Sequence, residues 1–119
     1  MKKIHKKQGV SGFTLMEMLV VVAIMAILIA VSYPVFTNQV EKTNVSVDEA
    51  NLRVAQSVAK VQYIMKENSF SIPMYYDLVK NDFVSEPPSP GYGESSANAG
   101  KVISAVWDET ENQLVLTWE

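Results

Sequence analysis

One carboxylate in this chain stands where carboxylates are costly. Glu17 lies five residues after Gly12, and residues 18–31 that follow it carry no polar side chain. An ionised acid inside a membrane-compatible segment costs about 2.5–3.5 kcal/mol on insertion scales, so its presence calls for a functional reason. Other groups able to do chemistry are few. His5 is the single imidazole, set among Lys2, Lys3, Lys6 and Lys7, and there is no cysteine. The sequence therefore offers no thiolate metal site, disulfide framework or cysteine nucleophile. It also has no glycine-rich phosphate loop, metal-ligand cluster or nucleophile–base set, so we expect no enzyme, no catalytic residue, no metal site and no cofactor. Asp108, Thr110 and Asn112 alternate oxygen ligands as a calcium loop begins. The glycine and distal bidentate glutamate of such a loop are missing, which leaves a solvated acidic turn.

The elements that position Glu17 follow from length and hydropathy. The 119 residues suggest one domain plus a membrane segment. Residues 13–36 number 24 and would form a helix about 36 Å long, enough to cross a hydrocarbon core of ~30 Å. Basic residues precede the run and acidic ones follow it, so the amino end should lie inside and the remainder outside. Formal net charge is −3, but from Phe13 onward six basic residues face thirteen acidic ones, a balance of −7. That acidity argues against a nucleic-acid partner.

Beyond the run, Val40, Val47, Val54, Val58, Val61 and Met65 recur at helical spacing. They predict an amphipathic continuation over 37–67 whose valine stripe faces the core. Ser46-Val47-Asp48-Glu49 can be read as a capping box restarting the helix, so the stem is either one curved helix or two segments. Pro34 should kink it by removing a backbone donor. Asn44-Val45-Ser46 matches the N-glycosylation pattern, but a three-residue match inside a helix carries little weight.

The remainder, 68–119, reads as a small globular headpiece. Pro73 to Asn81 reads as a short helix. Residues 86–100 are rich in Pro, Gly, Ser and Ala and read as a loop. Residues 101–118 read as a hairpin turning at 108–112. Ile103, Ala105 and Trp107 share one face; Leu114, Leu116 and Trp118 share one on the second strand. Two strands are marginal alone and should pack on the helix. The expected fold class is α+β, a long amino-terminal helix on a small antiparallel sheet.

Gly12-Phe13-Thr14-Leu15-Met16-Glu17-Met18-Leu19, behind a basic leader and ahead of a long apolar helix, resembles the class III signal of type IV pilins and pseudopilins. The resemblance covers about residues 2–36. It implies a leader over 1–12, removed between Gly12 and Phe13 by a prepilin peptidase that then N-methylates Phe13. Glycine suits such a junction because it lets a protease approach the backbone closely. It implies a transmembrane and filament-core helix over 13–36, with Pro34 where many members carry a stem-bending proline. Glu17 would pair with the Phe13 amine of a neighbouring subunit and set the axial register during assembly. The implied partners are the peptidase, an inner-membrane assembly platform, membrane lipid, other copies of the chain and minor pilins. The subunit would wait in the cytoplasmic membrane and end in a cell-surface filament. A pseudopilin of type II secretion or of a competence DNA-uptake machine carries the same signal. A bitopic membrane protein with a partner-binding domain shares only the apolar run.

Overall fold

The computed structural model describes residues 14–119. Residues 1–13, including the expected leader and the Gly12–Phe13 junction, lie outside the described residues. The chain divides into two compact units, one ending at Asn38 and the other spanning Gln39–Glu119.

Helix α1 spans Leu15–Ile64 as one element of 50 residues. Val, Leu, Ile, Met and Ala dominate its first half, and every residue there is exposed in the isolated chain. An 18-residue stretch of it reaches a mean hydropathy of 2.7, and α1 is, among the described residues, the one helix long and apolar enough to cross a membrane. The helix does not restart at Ser46. The Ser46 hydroxyl donates to the Lys42 carbonyl at 3.0 Å, as the Thr43 and Ser57 hydroxyls donate one turn back. Such back-bonding lets small polar residues sit inside a helix without ending it. The helix closes at Lys66, which takes a left-handed φ of 61° while Lys66 N donates to Tyr63 O and Glu67 N to Gln62 O. That is the double-bonded carboxyl cap usually built on glycine.

In the second unit a four-stranded antiparallel sheet is ordered β2-β1-β3-β4, from strands β1 (Met74–Asp77), β2 (Asp82–Val84), β3 (Ile103–Asp108) and β4 (Gln113–Trp118). The α+β class and the carboxyl-terminal hairpin follow the sequence. The short helix expected over 73–81 is instead the β1–β2 hairpin. Asp77 accepts from Val79 N and Lys80 N at 2.9 and 3.1 Å, and Asn81 closes the turn at φ 54°. The β3–β4 turn repeats this chemistry: Asp108 accepts from Thr110 N and Glu111 N, and Asn112 sits at φ 52°. Both loops read Asp-x-x-x-Asn. Asp and Asn suit these roles because their short side chains bond local backbone and tolerate the left-handed region.

The core is Ala55 and Ala59 of α1 against Phe70, Tyr76, Phe83, Ile103 and Ala105, flanked by Leu52, Val58, Trp107, Leu114 and Leu116. Tyr63 stacks on Trp107 at 4.6 Å between centroids. The face of α1 that meets the sheet is thus an alanine row, which admits close approach of the strands. The valine stripe expected in the core turns outward: Val40 and Val47 are each 41% exposed, Val54 47% and Val61 53%. Only Val58 of that stripe packs against the core cluster.

Candidate functional site

The start of α1 is built by Thr14 and Glu17. Thr14 N donates to Glu17 Oε2 at 3.3 Å, Glu17 N donates to Thr14 Oγ1 at 3.2 Å, and Met18 N reaches the Thr14 carbonyl at 3.2 Å. This is a reciprocal capping box: threonine caps the helix and the acid three residues on returns to the cap's own N–H. A carboxylate in the first turn also faces the positive end of the helix dipole. The box fixes where Glu17 points, back toward the chain entering the helix. Both residues remain exposed.

Pro34 lies inside α1 without interrupting it. Proline has no N–H, so the Ala30 carbonyl loses its helical donor. Hydroxyls bond on either side of this turn, Ser32 to Leu28 O at 2.7 Å and Thr37 to Pro34 O at 3.0 Å. Pro34 lies 17 residues, about 26 Å of helix, beyond Glu17, so the two do not form one constellation.

A second polar constellation went unpredicted. Asp48, 2% exposed, accepts from Glu94 N at 2.9 Å, Ser95 N at 3.0 Å, Ser95 Oγ at 2.5 Å and Asn98 Nδ2 at 3.1 Å. Two turns earlier, Glu41 accepts from Ser96 N at 2.9 Å and Ser96 Oγ at 2.7 Å. The two acids sit seven residues apart on α1 and clasp the loop over 94–98. The loop closes on itself through Tyr92 N and Gly93 N to Lys101 O, and Gly100 N to Gly93 O. Tyr92 ties it to the sheet, donating to Tyr76 O at 2.8 Å and accepting from Ile103 N at 2.9 Å. Residues 86–100, expected to be a loop, are therefore a bonded one. A Cβ on Gly93 would overlap the Asn98 carbonyl. We expect Gly93→Ala to cost about 2–3 kcal/mol, read as a lower thermal midpoint of the headpiece, because backbone has to move.

Both clasp acids are held below their ordinary range. For Asp48, burial pushes the value up but is outweighed by hydrogen bonds from the Ser95 hydroxyl, the Glu94 and Ser95 N–H groups and Asn98. For Glu41, the Ser96 hydroxyl and N–H lower it. The folded state then gives up these protons more readily than the unfolded chain, so stability is full at neutral pH. It falls as pH drops from the ordinary carboxylate range through the lower folded values. Amide exchange of Glu94, Ser95 and Ser96 should accelerate in that window. At the alkaline end, burial chiefly pushes Tyr92 up to about 12, so its contribution is lost as pH rises from the phenol's ordinary value near 10.0 through that point.

No group of three or more metal-ligating side chains occurs among the described residues. Asp108, the first oxygen of the calcium-like triplet, is engaged by its own turn.

Residues 7–33 match the prokaryotic N-terminal methylation motif. That motif is the class III signal, and the match supports the type IV pilin and pseudopilin family. Together with the apolar membrane-competent helix it supports a type IV pilin-like prepilin or pseudopilin, a family of structural subunits. The signal implies processing by a prepilin peptidase and polymerisation into filaments, and it fits a membrane-anchored subunit later found in a surface filament. No curated protein and no solved structure matches the chain significantly.

Proposed function

We propose that the chain is the precursor of a structural subunit of a type IV pilus or a pilus-like filament. The observation that carries this reading is the coincidence of the methylation motif with the start of α1, where the capping box holds the Glu17 carboxylate on the Thr14 N–H. Residues 1–12 are the leader, 13–36 the membrane and filament-core helix, 37–67 its amphipathic continuation and 68–119 the headpiece. Prepilin peptidase cuts at Gly12–Phe13 and methylates the Phe13 amine. That amine, with a reference pKa of about 7.7–8.0, is mostly cationic at neutral pH. In the filament it leaves Glu17 of its own chain in the capping box and pairs with Glu17 of a neighbour, so both charges are neutralised away from water. Before assembly the helix sits in the cytoplasmic membrane, amino end inside, beside an assembly platform.

The outward stripe supports stem-to-stem packing beyond the membrane segment. Val40, Thr43, Val47, Ala50, Val54, Ser57 and Val61 alternate three and four residues apart, and all are exposed. Valines alternating with small side chains form a narrow seam on which a second helix packs closely. Pro34 is where the stem bends to enter the bundle.

The test is the amino terminus and intact mass of the protein recovered from cell-surface filaments. N-methyl-Phe13 as first residue is the expected result. A retained Met1 leader, with protein confined to the membrane, overturns the reading. Electron microscopy of the same material separates a long pilus from a short pseudopilus.

A further inference from the structure

Strand β4 is an edge without the usual protection. Sheet edges are normally blunted by lysine, proline, bulges or short length, because a row of free backbone groups pairs with other chains. β4 runs six residues, Gln-Leu-Val-Leu-Thr-Trp, with no charge, proline or glycine. The opposite edge, β2, has three residues and begins with Asp82.

The register identifies which groups are free. Val102 and Glu119 exchange both N–H···O bonds, at 2.9 and 2.8 Å. In an antiparallel ladder such pairs alternate with non-bonded ones. The bonded partners of β3 on this strand are therefore Gln113, Val115 and Thr117, with Ser104 opposite Thr117. Leu114, Leu116 and Trp118 turn their N–H and C=O groups to the open edge, and none of these groups has a partner among the described residues.

The side chains of Leu114 and Leu116 also line a groove of about 440 Å³ with Gln56, Lys60, Ile64 and Trp107. The groove lies where α1 covers the sheet beside its last strand. It contains no acid, and the lysine stem can cover apolar surface while its ammonium stays in water. A fifth strand laid on β4 would thus find both unpaired backbone and a place for alternate side chains.

We propose that β4 takes an extended segment of another protein as a fifth strand: alternating apolar residues with a lysine or arginine at each end. Charge selects this occupant. The edge is bracketed by Asp108, Glu109 and Glu111 in the turn before it and by Glu119 after it. Antiparallel pairing of β4 with a second β4 would set each acidic turn against the other copy's Glu119, and like charges so placed oppose association. Basic ends on the incoming strand meet acids at both ends instead. The inference does not depend on the filament reading.

The test uses the full chain in detergent micelles and three synthetic peptides of alternating valine and threonine: one ended by lysines, one ended by glutamates, and the lysine-ended peptide N-methylated on alternate amides. At saturation the lysine-ended peptide should slow amide exchange at Leu114, Leu116 and Trp118 at least about tenfold, with Val115 and Thr117 unchanged, because those two are already bonded. The other two peptides should bind at least about tenfold more weakly, through lost charge complementarity and lost backbone bonds respectively. The exposed double change Glu109→Lys with Glu111→Lys should narrow or reverse the preference between charged ends. Equal binding of all three peptides, or no added protection on the even residues of β4, overturns the proposal. Protection that rises with protein concentration in the absence of peptide also overturns it, by showing that a second copy is the occupant.

Discussion

Asp48→Ala should lower the stability of the headpiece by about 3 kcal/mol, because it strands the Glu94 and Ser95 N–H groups and Asn98 without their shared acceptor. For a unit of this size that is a fall of roughly 15 °C in thermal midpoint, followed by tryptophan fluorescence of the full chain in detergent. Asp48→Asn keeps the volume and one acceptor oxygen but turns an amide toward donors, so it should fall between the two. The pattern across residues matters more than the size. Loss of protection should centre on Glu94 to Asn98 and leave the β3–β4 pairing intact. If Asp48→Ala left loop exchange unchanged, the clasp would contribute nothing to holding this segment. Alanine at Glu41 should have a smaller effect, since that carboxylate is exposed and keeps only Ser96.

Glu17→Gln should abolish or severely reduce filaments while leaving helix α1 and membrane insertion unchanged. Glutamine at this position can still return to the Thr14 N–H, so the capping box survives and only the charge is removed. Thr14→Ala is the converse: it removes the cap, at about 1 kcal/mol for the helix end, and keeps the carboxylate. If Glu17 acts through a neighbour's amine, Glu17→Gln should lose assembly by about 30-fold or more, whereas Thr14→Ala should lose only a few-fold. Such a loss matches about 2 kcal/mol for a charge-assisted contact. Filament yield at equal membrane level is the readout. Equal defects in the two variants would mean that Glu17 matters only for shaping the helix end.

These residues also show what the sequence could reveal. The stem and the β3–β4 hairpin were legible because 18–31 is an unbroken apolar run inside a segment long enough to span a membrane, and 103–118 alternates with a twofold period. The inward face of the stem was not. Hydropathy favours valine over alanine, yet the sheet packs on Ala55 and Ala59 because small side chains let the strands approach. Asp48 lies on the same side and made that face look polar. The β1–β2 hairpin was missed because Leu78 and Val79 resemble helical packing positions. A comparison of Asp77–Asn81 with Asp108–Asn112, one spacing used twice, would have revealed a second turn. Glu17 stands out by its cost in an apolar setting; its tie to Thr14 uses the same spacing as Ser46 and Glu49, where the helix runs on because Ser46 bonds back to Lys42 O. The clasp left a fainter signal: two acids seven residues apart on a helix, and a Ser-Ser-x-Asn run in a glycine-bounded loop.

Continuity of α1 through the clasp has a mechanical consequence. From Glu41 to Tyr63 the helix is splinted, first by the loop, then by the alanine contacts, then by the Tyr63–Trp107 stack. Residues 14–40 have no such splint among the described residues, and the Ala30 carbonyl there already lacks its helical donor. Under axial load the second half cannot lengthen without tearing the sheet from the helix. Extension should therefore be confined to the segment before Glu41, where each residue drawn from helix to strand geometry yields about 1.8 Å. A filament of such subunits would stretch through its stems while its outer surface kept its shape.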